Sequence, residues 1–217
     1  MKKLLKKDFS LSINPFFSIG MPLLTGVLFL IPDWVYFVAL LYFIWITIPN
    51  FFATCNAQRD NEFTLILPVS KKEIVRSRIT SIILLESAHI LTAIVFAIIN
   101  SLLFGLDNFA MNLNAAFFGL ALLMYGLFNI VFFPLYYRTA YKYGFPMILG
   151  MIAAMIFMVL VEFLAIGVPS AANLLEGQGS VEKIFQRSLL GGGFILFILL
   201  NWLTIKMSVS SFEKVDL

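Results

Sequence analysis

The amino-acid sequence predicts an all-α integral membrane protein. It reads as six transmembrane helices with an amino-terminal interfacial helix, a short cytoplasmic helix after the second span and short extracellular helices before the last. Three observations carry that expectation. Of 217 residues, 61% are hydrophobic and only 12% charged, against the roughly 25% charged in a soluble domain. Apolar stretches of the length needed to cross a hydrocarbon core about 30 Å thick recur along the chain. The Lys and Arg residues gather in alternate breaks between those stretches, as they do when loops sort by side of the membrane. A water-soluble globule is excluded, and a net charge of +3 in so apolar a chain excludes nucleic acid as a partner. Cys55, the single cysteine, has no partner for an internal disulfide, and His89, the single histidine, has none for a metal site or a nucleophilic triad.

The whole chain, residues 1–217, forms one transmembrane domain. Residues 1–14 interleave Lys2, Lys3, Lys6 and Lys7 with Leu4, Leu5, Phe9 and Leu11. That pattern suits a basic amphipathic helix lying on an anionic leaflet, and equally a plain positive flank to the first span. No small-residue cleavage site follows the first apolar run, so that run is expected to be retained as a span rather than removed as a signal peptide.

The spans are expected at residues 15–31, 34–53, 79–104, 115–136, 145–166 and 189–205. A tight Ile31-Pro32-Asp33 turn joins the first two, with Trp34 and Tyr36 suited to the interface. A polar loop at 105–114 precedes the fourth, and a basic, tyrosine-rich turn at 137–143 precedes the fifth. Pro22, Gly26, Pro49, Pro134 and Gly150 mark local breaks, tolerated where neighbouring helices satisfy the freed backbone groups. Gly150 with Ala154, and Gly191, have the small size that permits close helix approach.

With both termini inside, the cytoplasmic set is Lys2, Lys3, Lys6, Lys7, Arg59, Lys71, Lys72, Arg76, Arg78, Arg138, Lys142, Lys206 and Lys214, 13 of the 15 basic residues. They are opposed there by Asp8, Asp60, Glu62, Glu73, Glu213 and Asp216. Only Lys183 and Arg187 fall outside. This asymmetry predicts a multi-pass plasma-membrane protein with cytoplasmic ends.

The cytoplasmic connection at 54–76 has its own grammar. Asp60, Asn61 and Glu62 suit the positive start of a helix dipole; Phe63, Leu65, Ile66 and Leu67 supply apolar surface; Pro68 ends the helix. Ser70 with Glu73 three residues later forms a capping box that starts a new helix near Lys71, continuing through Arg76 and Arg78 into the third span. Such a helix can press on another protein and transmit force. Alternatively it is an interfacial turn whose Phe63 and Leu65 dip into lipid.

Inside the membrane, Glu86 and His89 stand about one helical turn apart and share a face. They suit either a proton relay or a buried hydrogen-bonded arrangement, in which Glu86 could also meet Arg138. Glu162 near the outer end of the fifth span is either wet or lines an exit for cationic or amphipathic cargo. In the outer loop, 167–187, Ser170 and Ser180 can each cap a short helix, giving a small helical hairpin.

The run from Gln58-Arg59-Asp60 to Leu67-Pro68-Val69-Ser70-Lys71-Lys72-Glu73-Ile74-Val75 resembles the loop between the second and third spans of type-2 ABC exporter permeases. The likeness extends to the Lys-rich amino terminus and the six-span plan, and is greatest to the compact permeases of Gram-positive exporters for phenol-soluble modulins and other small peptides. It implies a coupling helix that seats in a cleft of a separate ATPase subunit, with Asp60, Glu62, Phe63, Leu65 and Leu67 in contact. The turn holding Arg138 and Tyr141 would be a second, smaller contact. ATP and magnesium would sit on that ATPase, since this chain has no phosphate-binding loop and its Gly191-Gly192-Gly193 run has no following Lys. By the same resemblance, the chain pairs with a second copy or a similar permease in membrane lipid. It moves amphipathic peptides outward, and the loop before the last span acts as a lid. Extraction of antimicrobial peptides for immunity fits the same residues. A proton-coupled secondary transporter using Glu86 and His89, with no ATPase, is the competing class.

Overall fold

A computed structural model describes residues 2–12, 15–104 and 108–215, and within them every regular element is helical. Met1, Ile13 and Asn14 of the expected interfacial stretch, residues 105–107 of the polar loop before the expected fourth span, Asp216 and Leu217 lie outside the described residues. Helix α1 (Lys2–Lys7) runs on into a π-helical segment, Asp8–Ser12. Leu4 and Asp8 are buried while Lys3, Lys6 and Phe9 face outward, which is the two-faced pattern the Lys/Leu alternation predicts.

Helix α2 (Pro15–Phe29) follows, with Pro22 inside it. Helices α3 (Tyr36–Tyr42) and α4 (Ile48–Ala57) are one continuous rod joined by a π-helical turn at Phe43–Thr47. Pro49 explains the turn: it has no N–H for the Trp45 carbonyl, and its ring crowds that carbonyl, so the winding loosens just upstream. Helix α5 (Asp60–Ile66) is short, and α6 (Lys71–Phe104) is long. Then come α7 (Ala115–Arg138), α8 (Gly144–Gly167), the short α9 (Pro169–Glu176) and α10 (Ser180–Glu213).

Among the described residues, five rods are long and apolar enough to cross a membrane: Tyr36–Ala57, α6, α7, α8 and α10. The expected first span is shorter than anticipated. Helix α2 has 15 residues, which rise only about 22 Å against a hydrocarbon core of about 30 Å. The helical hairpin expected at 167–187 also differs from expectation. Only α9 is a separate short helix there; the segment beginning at Ser180 does not end but continues unbroken into the last rod. Nothing between Ser180 and Leu189 breaks a helix, so the apolar run simply extends the winding outward.

Helix α7 is the centre of the molecule. It packs along α10 and α8 and presents Phe117, Tyr125, Phe128, Phe132, Phe133, Tyr136 and Tyr137, all with no solvent exposure, to the rest of the bundle. The α7–α10 pair is unusually close: a Cβ added at Gly193 would collide with the Gly119 backbone, and one at Gly119 would lie 2.5 Å from the Leu189 carbonyl oxygen. The outward faces of α8 and α10 carry a dense row of exposed apolar side chains, among them Phe163, Ile195 and Trp202.

The amino-terminal helix and the last described residues, to Val215, lie at the same end of the bundle. Lys7 meets Asp60, and Lys71 Nζ donates to the carbonyls of Phe212 and Val215 at 3.3 and 2.9 Å. The turns at 30–35, 108–114 and 177–179 are joined to one another at the opposite end, as the contacts below show.

Candidate functional site

At the basic end, the α4–α5 junction puts Arg59 in the left-handed region (φ 51°), which turns α5 back under the bundle. The side chains of α5 then separate by face. Glu62, Phe63, Leu65 and Ile66 are exposed, with Ile66 at 83%, whereas Asp60 and Thr64 are buried. The capping box expected at the start of α6 is formed: the Ser70 N–H donates to Glu73 Oε2 at 3.1 Å, and the Glu73 N–H donates to Ser70 Oγ at 3.2 Å. Leu67 is half-buried in extended backbone ahead of Pro68.

Asp60 does not face outward with Glu62, Phe63 and Leu65 of the expected contact set. Arg78 Nη2 donates to its Oδ2 at 2.6 Å, and Lys7 pairs with its Oδ1. The same Arg78 lies 3.4 Å from Asp8 Oδ1, and donates to Cys55 Sγ at 2.8 Å. Lys7 bridges Asp8 at 3.2 Å and donates to Thr64 Oγ1 at 3.0 Å. Ser77 and Ser81 donate to Asp8 Oδ2 at 3.4 and 3.3 Å. Four ionised groups from the amino-terminal segment, α5 and α6 thus share one buried cluster, each charge opposed and most remaining lone pairs filled, which is what burying an ion pair requires. Burial pushes the Asp60 carboxyl up, but Arg78 and Lys7 outweigh it and hold the group below its ordinary value. The sequence signal for this cluster was the face of α6: Arg78, Ile82, Leu85, Glu86 and His89 follow one helical stripe, all of it buried.

The second expected contact lies beside the first. Arg138 is exposed at the end of α7, and the turn behind it puts Ala140 (φ 51°) and Tyr141 (φ 67°) in the left-handed region. Tyr141 packs its ring on Tyr136, Tyr137 and Phe212, with centroids 5.4–5.8 Å away. Glu62 and Leu65 of α5 form one wall and Tyr141 and Lys142 of the turn the other wall of a cleft of about 550 Å³. The 54–66 and 139–144 segments, far apart in sequence, therefore meet in a single concave surface.

Glu86 and His89 do not bond to each other. Glu86 Oε2 accepts from Asn129 Nδ2 at 2.9 Å, and the same Asn129 amide reaches Asn201 Oδ1 at 3.0 Å. This links α6, α7 and α10. His89 Nδ1 lies 2.7 Å from the Tyr125 hydroxyl and Nε2 lies 2.7 Å from the Thr25 hydroxyl, with the imidazole stacked on Phe43 at 4.8 Å. Those hydroxyls also lie 3.3 and 3.1 Å from the carbonyl oxygens of Leu40 and Ala39. Glu86 is paired with Asn129 and not with Arg138.

At the opposite end, Glu162 is buried and turned toward the 108–114 loop, where its Oε2 accepts from the Met111 N–H at 3.1 Å. The next N–H, of Asn112, donates to both Glu176 oxygens at 3.2 and 3.1 Å. Asn114 donates to the Leu175 carbonyl at 2.7 Å while capping α7, and Gln186 donates to the Gly177 carbonyl at 3.0 Å. Asn108 exchanges hydrogen bonds with the Trp34 backbone at 3.0 and 2.9 Å. Burial and the nearby Glu162 push the Glu176 carboxyl up to about 7 despite the Asn112 donors.

In comparison with protein families, residues 3–213 match the family described as ABC-2 family transporter protein. No curated protein and no solved structure matches the chain.

Proposed function

Because the chain belongs to the ABC-2 transporter family, we propose that it is the transmembrane subunit of an ATP-driven exporter of amphipathic peptides. A separate ATPase subunit would bind ATP and magnesium at the basic, cytoplasmic end. The observation that carries this reading is the cleft between α5 and the 139–144 turn, with Glu62 and Leu65 on one wall and Tyr141 and Lys142 on the other. Phe63 and Ile66 stand exposed beside it, a contiguous apolar surface of the kind that marks a protein contact. The roles within the expected set then divide. Glu62, Phe63 and Leu65 receive the ATPase, joined by the exposed Ile66 from outside that set, with Arg138 and Tyr141 as the second contact. Asp60 fastens α5 to α1 and α6, so that a push on the helix moves both as one body. Leu67 and Pro68 form the joint to α6.

In this reading α2, tied to α6 by His89–Thr25 and by the Asn100 amide on the Phe29 carbonyl at 2.7 Å, crosses as a sixth span in a locally thinned bilayer. Two such chains pair around one pathway. The 108–114 loop and α9 close the outer side as a lid.

The test is co-expression with candidate phosphate-loop ATPase subunits from the same genome. A stable complex is expected, whose peptide-stimulated ATP hydrolysis falls at least tenfold in the double variant Glu62→Ala/Leu65→Ala while insertion and elution volume stay unchanged. Full export by that variant would sink the assignment of the cleft.

A further inference from the structure

Three cationic side chains outside the coupling cleft have no assigned work. Lys72 and Arg76 of α6 and Lys206 of α10 line one groove of about 620 Å³, whose floor is Trp202, Ile205 and Val209 and whose single acid is Glu213. None of the three cations forms an ion pair among the described residues, in contrast to Lys7 and Arg78. Lys206 Nζ sits 5.3 Å from the Trp202 ring centroid, a cation–π distance. The neighbouring Lys71 is already engaged, donating to the carbonyl of Phe212 near the end of α10 and to that of Val215 beyond it.

Helical spacing says which way the groove opens. Lys72, Arg76 and Thr80 continue on α6 into Leu84, Leu91, Val95 and Leu102, all exposed, at steps of three or four residues or their sum. On α10, Lys206 continues into Trp202, Leu199, Ile198 and Ile195, also exposed. Two apolar stripes on adjacent rods therefore run along the bundle and end together among three cations. An exposed indole at that level suits the interface between hydrocarbon and headgroups.

The geometry points to a binding site for an anionic phospholipid in this groove, with its phosphate among Lys72, Arg76 and Lys206 and its acyl chains on the α6 and α10 stripes. Basic pockets between spans on the cytoplasmic side recognise such headgroups. A second copy of the chain is disfavoured here, because a two-fold contact centred on the groove brings the same patch against itself, cations facing cations. A soluble phosphate leaves the apolar floor and the stripes unused. The inference needs only that the chain lies in a bilayer and is independent of the exporter assignment.

Trp202 is a built-in reporter. The full chain is reconstituted in phosphatidylcholine bilayers with a small fraction of either brominated phosphatidylglycerol or brominated phosphatidylcholine. The fluorescence quenching that Trp202→Phe removes is then read. Brominated phosphatidylglycerol is expected to be enriched at Trp202, and each single change, Lys72→Gln, Arg76→Gln or Lys206→Gln, to lower that enrichment about fivefold, the equivalent of about 1 kcal/mol per surface cation. Arg76→Lys keeps it. Lys206→Gln, at an exposed position, carries the test if the triple variant does not fold. Equal quenching by the two lipids, or an enrichment that survives Lys206→Gln and the triple variant, overturns the site. Loss of enrichment on adding inorganic phosphate at constant ionic strength assigns it to a soluble anion instead and also overturns it. So does protection of Trp202 from both lipids together with a Thr80→Cys cross-link between copies, which would place a second chain in the groove.

Discussion

Arg78 Nη2 lies 2.6 Å from Asp60 Oδ2, with 3% and 2% of the two side chains exposed, so the first part of the long helix α6 and the short α5 helix are fastened by a buried charge pair. Lys7 and Asp8 complete the cluster from the amino-terminal segment. A force applied to the exposed side of α5 is delivered to α6 and to the amino-terminal helix together, because no solvated, easily broken contact separates them. Burial of Asp60 thus gives the apolar residues on its far side something rigid to push against.

Asp60→Asn keeps the shape and removes the charge, leaving the more distant Asp8 as the carboxylate beside Arg78. The expected loss is about 3 kcal/mol, the scale of breaking one side of a buried pair, read as a lower thermal unfolding temperature in detergent. Since the folded carboxyl is held below its ordinary value of 3.8, its contribution is complete above that value and is lost as pH falls through the lowered one. The variant should therefore lose stability at neutral pH and show a flatter acid limb than the wild type. A variant as stable as the wild type at neutral pH contradicts the clamp.

Glu86 Oε1 and Asn129 Oδ1 are both buried without a hydrogen-bond partner among the described residues. Glu86→Gln introduces an amide that can donate to the Asn129 oxygen, so its unfolding temperature should equal or exceed that of the wild type. Glu86→Ala removes an acceptor from Asn129 and should cost about 1–3 kcal/mol. In the ATP-driven reading Glu86→Gln transports normally. A well-folded Glu86→Gln protein with no transport would instead require the carboxylate charge and favour proton coupling.

Much of this arrangement was written in helical periodicity and capping residues. The Ser70–Glu73 box, the Pro68 stop and the extents of α6, α7 and α8 follow from patterns within a few residues of one another, and the structure matches them closely. Arg78 was harder. It sits two residues from Arg76, and charge counting treats the two alike, yet one turns to the buried stripe of Glu86 and His89 while the other turns to the exposed stripe of Leu84 and Leu91. Extending the Glu86/His89 face back by two turns would have separated them. The partners of Arg78, Asp60 and Asp8, lie far back along the chain, and no local rule pairs them. The length of α2 was misjudged for a related reason: hydropathy runs on past Phe29 to Ile31, whereas the backbone has already left the helix for the Pro32-Asp33 turn.

Glu176 gives the end of the bundle opposite the Arg78 cluster a dependence on pH. Its folded carboxyl titrates at about 7, above the ordinary 4.5, so the folded state holds its proton more tightly than the unfolded chain. Stability from this group is full below 4.5, declines as pH rises and is lost once pH passes about 7. Hydrogen exchange of the 108–114 and 169–176 backbones should accordingly quicken, beyond the intrinsic rate, between mildly acidic and neutral pH. Glu176→Gln should abolish the change. Protection that instead grows with pH, or persists unaltered in the variant, excludes Glu176 as its source.

Gly193 and Gly191 form a matched pair on α10. At Gly193 an added Cβ meets the Gly119 backbone, which cannot swing aside as a side chain would; at Gly191 it meets nothing within 4 Å. Gly193→Ala should therefore force the α7–α10 pair apart at a cost of about 1–3 kcal/mol, and strain the Asn129–Asn201 contact farther along the same seam. Gly191→Ala gains helix propensity of up to about 1 kcal/mol with no clash. The two unfolding temperatures should move in opposite directions, although the substitutions are chemically identical and two residues apart. Loss of stability in both would show that Gly191 is covered by another surface in the assembled membrane protein, and no loss at Gly193 would show that the two rods are not in backbone contact.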